Sequence, residues 1–348
     1  MPGALRARWS SSPLSYSSTM AIPLDFTAAR RAVEPFVIDT PLLLDAWLTS
    51  RVGRDTYLKL ENLQTTGSFK VRGAANRIVN LTERERGRGV VACSSGNHGR
   101  AVAHVAGVLG VPATICVPEW TDPVKLSAMT EAGADVILAG SSYDDAAEKA
   151  ERIRSDEGLT LIHPFDDPLI VAGQGTLGTE IVHALPNVAE IVVPLSGGGL
   201  AGGLAVAAKE LRPAVTITAA SAERAGVMLA SLQAGKPIDV PERPTIASAL
   251  AGGIGLDNVY TFALIRDVID QHCSVTEAAI VDAMAYALGR LHMVVEGGGA
   301  VALASVLSGS WSATSDGGPM VILLSGGNIG PEGIAKVTDH MSRRVPGY

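Results

Sequence analysis

From about residue 55 the chain alternates between two kinds of segment, and this alternation limits its fold more than any other feature. Short apolar runs recur: YLKL at 57–60, GVVACS at 89–94, ATICVP at 113–118, DVILAG at 135–140, LTLIHP at 159–164, EIVVPLS at 190–196, VTITAAS at 215–221 and PMVILLS at 319–325. Between them the pattern predicts helices over 68–81, 98–109, 123–132, 142–155, 173–185, from 200 onward, 276–291 and 299–308. Strands that are apolar throughout, and not only at every second residue, are buried on both faces. Their alternation with helices predicts an α/β protein of mostly parallel sheets covered by helices. Small aliphatic residues and 38 glycines suit that packing, and only 4% of residues are aromatic. A chain of 348 residues can build two such units.

Composition also excludes partners. A formal net charge of −7 leaves no basic surplus for nucleic acid or an anionic membrane surface. No run approaches the roughly 18 apolar residues of a membrane span. Cys93, Cys116 and Cys273 lack metal-ligand spacing, and Cys93 and Cys116, which end apolar runs, read as buried thiols in a reducing compartment. Residues 1–20 are rich in serine, hold two arginines and no acid, and are expected to be a disordered leader. The irregular stretch 235–260 is expected to be a long functional or mobile loop.

Five places carry chemistry. In Thr65-Thr66-Gly67-Ser68-Phe69-Lys70 the first residues predict a turn and Ser68 a helix N-cap, which puts Lys70 in a first helical turn. The positive end of the helix dipole disfavours a cation there and favours a neutral, nucleophilic amine. A snorkelling lysine is the plainer alternative. Ser94-Ser95-Gly96-Asn97-His98-Gly99, between strand and helix, offers backbone N–H groups and polar side chains to an anion. Ser196-Gly197-Gly198-Gly199-Leu200 lets backbone amides converge on a phosphate. With Gly202 it also satisfies the G-x-G-x-x-G pattern, and Glu223 stands where a ribose-binding acid would, so a dinucleotide oxidoreductase competes. Glu296-Gly297-Gly298-Gly299 is either a functional acid or the cap of a close helix crossing. Ser325-Gly326-Gly327-Asn328 follows a buried strand, at the edge where α/β folds bind ligands.

In this order, SFKVRGA, SSGNH, GGGL and SGGN resemble the pyridoxal-phosphate enzymes of the tryptophan-synthase-β-like fold, in the threonine/serine dehydratase and serine racemase branch. The resemblance spans 61–328. It implies a large domain (21–84 and 166–345) with a small one (85–165) inserted in it. It implies pyridoxal 5'-phosphate on Lys70 as a Schiff base, with Phe69 beside the ring and Asn97 on the ring hydroxyl. Ser196, Gly197, Gly198, Gly199 and Leu200 would hold the phosphate, and Ser325 would meet the pyridine nitrogen. Ser94, Ser95, Gly96, Asn97 and His98 would take the substrate carboxylate. The implied activity is β-elimination from L-threonine or L-serine to a 2-oxo acid and ammonia, in a cytoplasmic dimer or tetramer. Ser95 matches the second base of serine racemases. The racemases' metal site is not expected, because only Glu223 is acidic in SAERAG at 221–226. The chain ends soon after Ser325, so feedback control by isoleucine through a C-terminal domain is not expected. Gly252–Tyr260 and Val295–Gly298 resemble the dehydratase-like enzymes of hydroxyectoine utilisation, which would make the substrate a larger hydroxylated compound.

Overall fold

The computed structural model describes residues 24–313 and 317–344. The expected leader lies outside the described residues. Among the described residues ten strands form two sheets: β1 (Leu42–Leu44), β2 (Thr56–Leu60), β3 (Val90–Cys93), β4 (Ala113–Val117), β5 (Asp135–Leu138), β6 (Thr160–Leu161), β7 (Glu190–Pro194), β8 (Thr216–Ala222), β9 (Gln271–Val275) and β10 (Met320–Leu324). One sheet has the order β1-β2-β10-β7-β8-β9, the other β5-β4-β3-β6. Every pairing is parallel except β1 with β2 at an edge. The expected α/β class with parallel sheets is what folds.

The reason is the one legible in the sequence. β3, β7 and β10 are buried at every residue, so both faces must be covered. On the six-stranded sheet, Ile191, Val193 and Val321 pack on one face against helices Pro168–Ala184 and Gly199–Leu211. Val192 and Ile322 pack on the other against helices Glu277–Arg290 and Gly297–Ser308. The four-stranded sheet is covered by helix Asn97–Leu109 on one face and Tyr143–Glu157 on the other. Helix Lys70–Val79 contributes Val71, Ala74 and Ile78 to the first of these layers.

Several boundaries differ from expectation. The helix predicted from 173 starts at Pro168, where Asp167 accepts hydrogen bonds from the N–H groups of Leu169 and Ile170 and proline takes the first turn. LTLIHP yields only a two-residue strand, and His163 and Pro164 leave the sheet. β9 carries no clear apolar pattern and is a half-exposed edge, whereas helix Thr261–Val268 buries Phe262, Leu264, Ile265 and Val268 on one face, an amphipathic pattern the sequence reading passed over. Residues 235–260 form the expected long loop, broken by one 3₁₀ turn at Ser248–Leu250. Among the described residues no helix is long and apolar enough to cross a membrane.

Candidate active site

Loops leaving the C-terminal ends of β3, β7 and β10 meet the start of the Lys70 helix. Ser68 forms an antiparallel bridge with Gly326, and the Phe69 N–H donates to Ser325 O at 3.1 Å. The predicted Ser68 cap is not formed: the helix begins at Lys70, and Phe69 is its boundary residue. The Ser68 Oγ is instead buried with no hydrogen-bond partner, as is the Thr66 Oγ1.

The Lys70 Nζ donates to the Pro164 carbonyl at 2.7 Å and lies 5.3 Å from the Phe69 ring centre. Burial pulls its pKa down to about 8, and the charge of Glu296 works in the opposite direction. The amine is therefore neutral in part near physiological pH, as the sequence suggested. Burial is the cause of the shift.

The expected phosphate loop, Ser196–Leu200, runs from the end of β7 into helix Gly199–Leu211. The Ser196 Oγ donates to Leu250 O at 2.9 Å. Gly198 has φ +90°, which favours glycine, and it precedes helix Gly199–Leu211. A side chain on Gly197 would collide with the Phe165 ring. Among the described residues, none accepts a hydrogen bond from the N–H of Gly197, Gly198, Gly199 or Leu200. Four unused donors at a helix N-terminus suit a phosphate dianion.

Ser94, Ser95, Gly96 and Asn97 are half-buried along the opposite wall, and the Gly96 N–H donates to the Ser94 Oγ at 3.2 Å. The His98 side chain turns elsewhere. It is buried, its Nε2 lies 2.7 Å from Ile162 O, and burial pulls its pKa to about 3, so the ring is neutral. Asn97 is tied into a network: its Nδ2 donates to Glu296, and its Oδ1 accepts from the Asn328 Nδ2 at 2.8 Å. Glu296 does not cap its own helix. Ser325 is buried at the end of β10, beside the Lys70 turn.

Sequence reasoning overlooked the segment His163–Asp167. Pro164 receives Lys70, Phe165 packs on the glycine loop, and the Asp166 carboxylate accepts hydrogen bonds from the N–H groups of Val259, Tyr260 and Thr261 at 2.8–2.9 Å. Asp-Asp-Pro was the available signal, since an acid before proline marks a helix start.

The residues fit pyridoxal phosphate: an amine whose pKa burial lowers, a nest of N–H groups without acceptors, and the two orphaned buried hydroxyls of Thr66 and Ser68 just before Lys70. The sequence profile of the family described as "Pyridoxal-phosphate dependent enzyme" matches residues 33–326. The chain belongs to that family. Its relatives include the L-threonine ammonia-lyase of Thermotoga maritima, 42% identical over 88% of this chain and 75% of its own length. Among solved structures, maize serine racemase is 34% identical, with 91% of this chain and 97% of that one covered and a TM-score of 0.84. The processed form of threonine deaminase isoform 2 from Solanum lycopersicum is 32% identical, with 91% and 87% covered and a TM-score of 0.85. Family membership removes the dinucleotide oxidoreductase reading of Gly197–Gly202. Glu223 is exposed after β8.

Proposed function

We propose that this protein is a pyridoxal-phosphate-dependent lyase that removes water and ammonia from a β-hydroxy amino acid such as L-threonine or L-serine, giving a 2-oxo acid. One observation carries the proposal: the Lys70 amine, its pKa pulled down to about 8 by burial, donates to the Pro164 carbonyl next to Phe165, which packs on Gly197 and Gly199 of the glycine loop. Lys70 would hold the cofactor aldehyde. The N–H groups of Gly197–Leu200 and the Ser196 hydroxyl would bind its phosphate, Phe69 would pack on its ring, Asn97 would meet its ring hydroxyl and Ser325 its ring nitrogen. When bound, the cofactor supplies the electron sink that lets Cα lose a proton and Cβ its hydroxyl. The chain supplies the rest. Ser94, Ser95, Gly96, Asn97 and the His98 backbone orient the substrate carboxylate, and a freed Lys70 amine takes the Cα proton. Ser325 is a neutral partner that cannot keep a ring nitrogen protonated as a carboxylate would.

The two sheets support a small inserted domain at 85–165 within a large one at 21–84 and 166–345. The family resemblance supports a cytoplasmic homo-oligomer, dimer or tetramer, which light scattering would test. Two variants of the same chemistry have specific support. Ser95 is half-buried in the loop after β3, and its match to the second base of serine racemases supports a racemase side activity. A substrate of hydroxyectoine type has support in the loop at 259–261, which the Asp166 carboxylate holds.

Purified protein with pyridoxal phosphate should be offered L-threonine, L-serine, D-serine and hydroxyectoine in parallel. Rapid 2-oxobutanoate release from L-threonine is the expected result. A protein silent on threonine and serine but active on hydroxyectoine would move the substrate to that class. Full turnover by Lys70→Ala would contradict the proposal.

A further inference from the structure

Glu296 is a buried carboxylate that the reaction above leaves without a task. It lies at the start of helix Gly297–Ser308, yet its carboxyl makes no bond to that helix. It accepts instead from the Asn97 Nδ2, and a side chain at Gly326 would strike its Oε1. Gly326 is the residue that bridges to Ser68, two before Lys70. The carboxyl is thus wedged between the loop that presents Asn97 and the turn that presents Lys70.

We propose that Glu296 is a positioning residue: its carboxylate fixes the Asn97 amide and is the counter-charge that sets how readily Lys70 holds a proton. The amide is held from both ends. Asn97 donates to Glu296 and accepts from Asn328, which in turn donates to Thr66 O at 2.8 Å and accepts from Arg100 at 3.0 Å. An amide so clamped presents its remaining N–H as a donor and cannot flip to present an acceptor. Protonating Glu296 would let it donate to the amide oxygen and remove that constraint.

The charge relation follows from burial. Glu296 is faced by Asn97 from helix Asn97–Leu109, by Lys125 from helix Pro123–Glu131 and by Lys70. Lys70 is faced by Glu296, and its charge is felt by the neutral His98 and by His163. Burial pushes the Glu296 pKa up to about 7, against the Asn97 hydrogen bond and the two lysines. Lys70 lies near 8, so the two groups titrate in adjoining ranges, each altering the other.

The part of this proposal that concerns the cofactor's ring hydroxyl rests on the function proposed above. The part that concerns Lys70 does not, and it can be tested in the cofactor-free protein. Acetic anhydride labelling of Lys70, read by peptide mass spectrometry from pH 5.5 to 10, reports its proton affinity. Glu296→Gln should lower the labelling midpoint and raise labelling at pH 7 by up to about tenfold, the change one pH unit produces. Glu296→Asp, which keeps the charge, should restore much of the original profile. Thermal unfolding establishes that each variant is folded. A folded Glu296→Gln protein with the unaltered profile would overturn the proposal. If that variant does not fold, the original protein decides. Coupling to Glu296 should broaden its curve beyond a single-proton titration, and a clean single-proton curve would overturn the proposal. A protein that labels as expected but takes up no pyridoxal phosphate would support the Lys70–Glu296 pair while contradicting the function proposed above.

Discussion

Two sets of buried charges flank the first turn of one helix, and they behave differently. Arg72 is fully buried and bonds Glu61 through Nε at 2.8 Å and Glu180 through Nη1 at 2.6 Å. Lys59 adds a bond to Glu180 at 3.0 Å, and the Thr40 hydroxyl adds one to Glu61 at 2.6 Å. Two residues earlier, and so on another face of the helix, Lys70 meets the Pro164 carbonyl, the Phe69 ring and the field of Glu296, with no carboxylate in hydrogen-bond contact among the described residues. Around Arg72, burial opposes ionisation, but the opposite charges outweigh it. Arg72 is driven further up and Glu61 below the usual carboxylate range. Around Lys70 and Glu296 burial wins, and both are pushed toward neutrality. Full pairing makes a charge structural, and partial pairing makes it chemical.

Substitutions test that contrast most strongly at its two centres. Lys70→Ala should lower turnover by at least about 10³-fold, the upper part of the range for a lost acid–base group, with the melting temperature little changed. Arg72→Ala should do the reverse in kind. It strands two buried carboxylates, and breaking a buried pair costs about 3–5 kcal/mol, read from chemical unfolding. If Arg72→Ala were stable and Lys70→Ala unfolded, the contrast would be wrong.

A smaller effect concerns pH. Glu296 binds its proton more tightly in the folded protein than at its ordinary 4.5, so its contribution to stability falls as pH rises from about 4.5 to 7. Lys70 binds its proton less tightly than at its ordinary 10.5, so its contribution rises with pH from about 8 to 10.5. Together they give a dip in stability between pH 7 and 8. Glu296→Gln should remove the acid side of that dip, as followed by unfolding at a series of pH values. The smallest effect is expected from Asp166→Asn, which loses charge from three backbone hydrogen bonds at 259–261. It should raise KM several-fold by loosening the loop, with kcat nearly kept.

Much of this was legible in the sequence because it depends on local rules. Buried parallel strands such as MVILL announce themselves by being apolar throughout, and glycine loops by where they follow strands. The start of the Lys70 helix was misread because Ser68 pairs with Gly326, more than 250 residues away in the chain, and a cap rule cannot see that partner. β9 was illegible because QHCSV is a polar edge whose place is set by β8. Glu296 stood open between cap and functional acid for the same reason: its partner Asn97 is 199 residues distant. Pro164 was read as the end of a strand, and only tertiary packing turns its carbonyl toward Lys70.

The most direct test is chemical capture. Borohydride reduction of the protein loaded with pyridoxal phosphate, followed by peptide mapping, should place the cofactor on Lys70 and abolish 2-oxo acid formation. Cofactor recovered on another lysine, or none bound at any concentration of pyridoxal phosphate, would contradict the account.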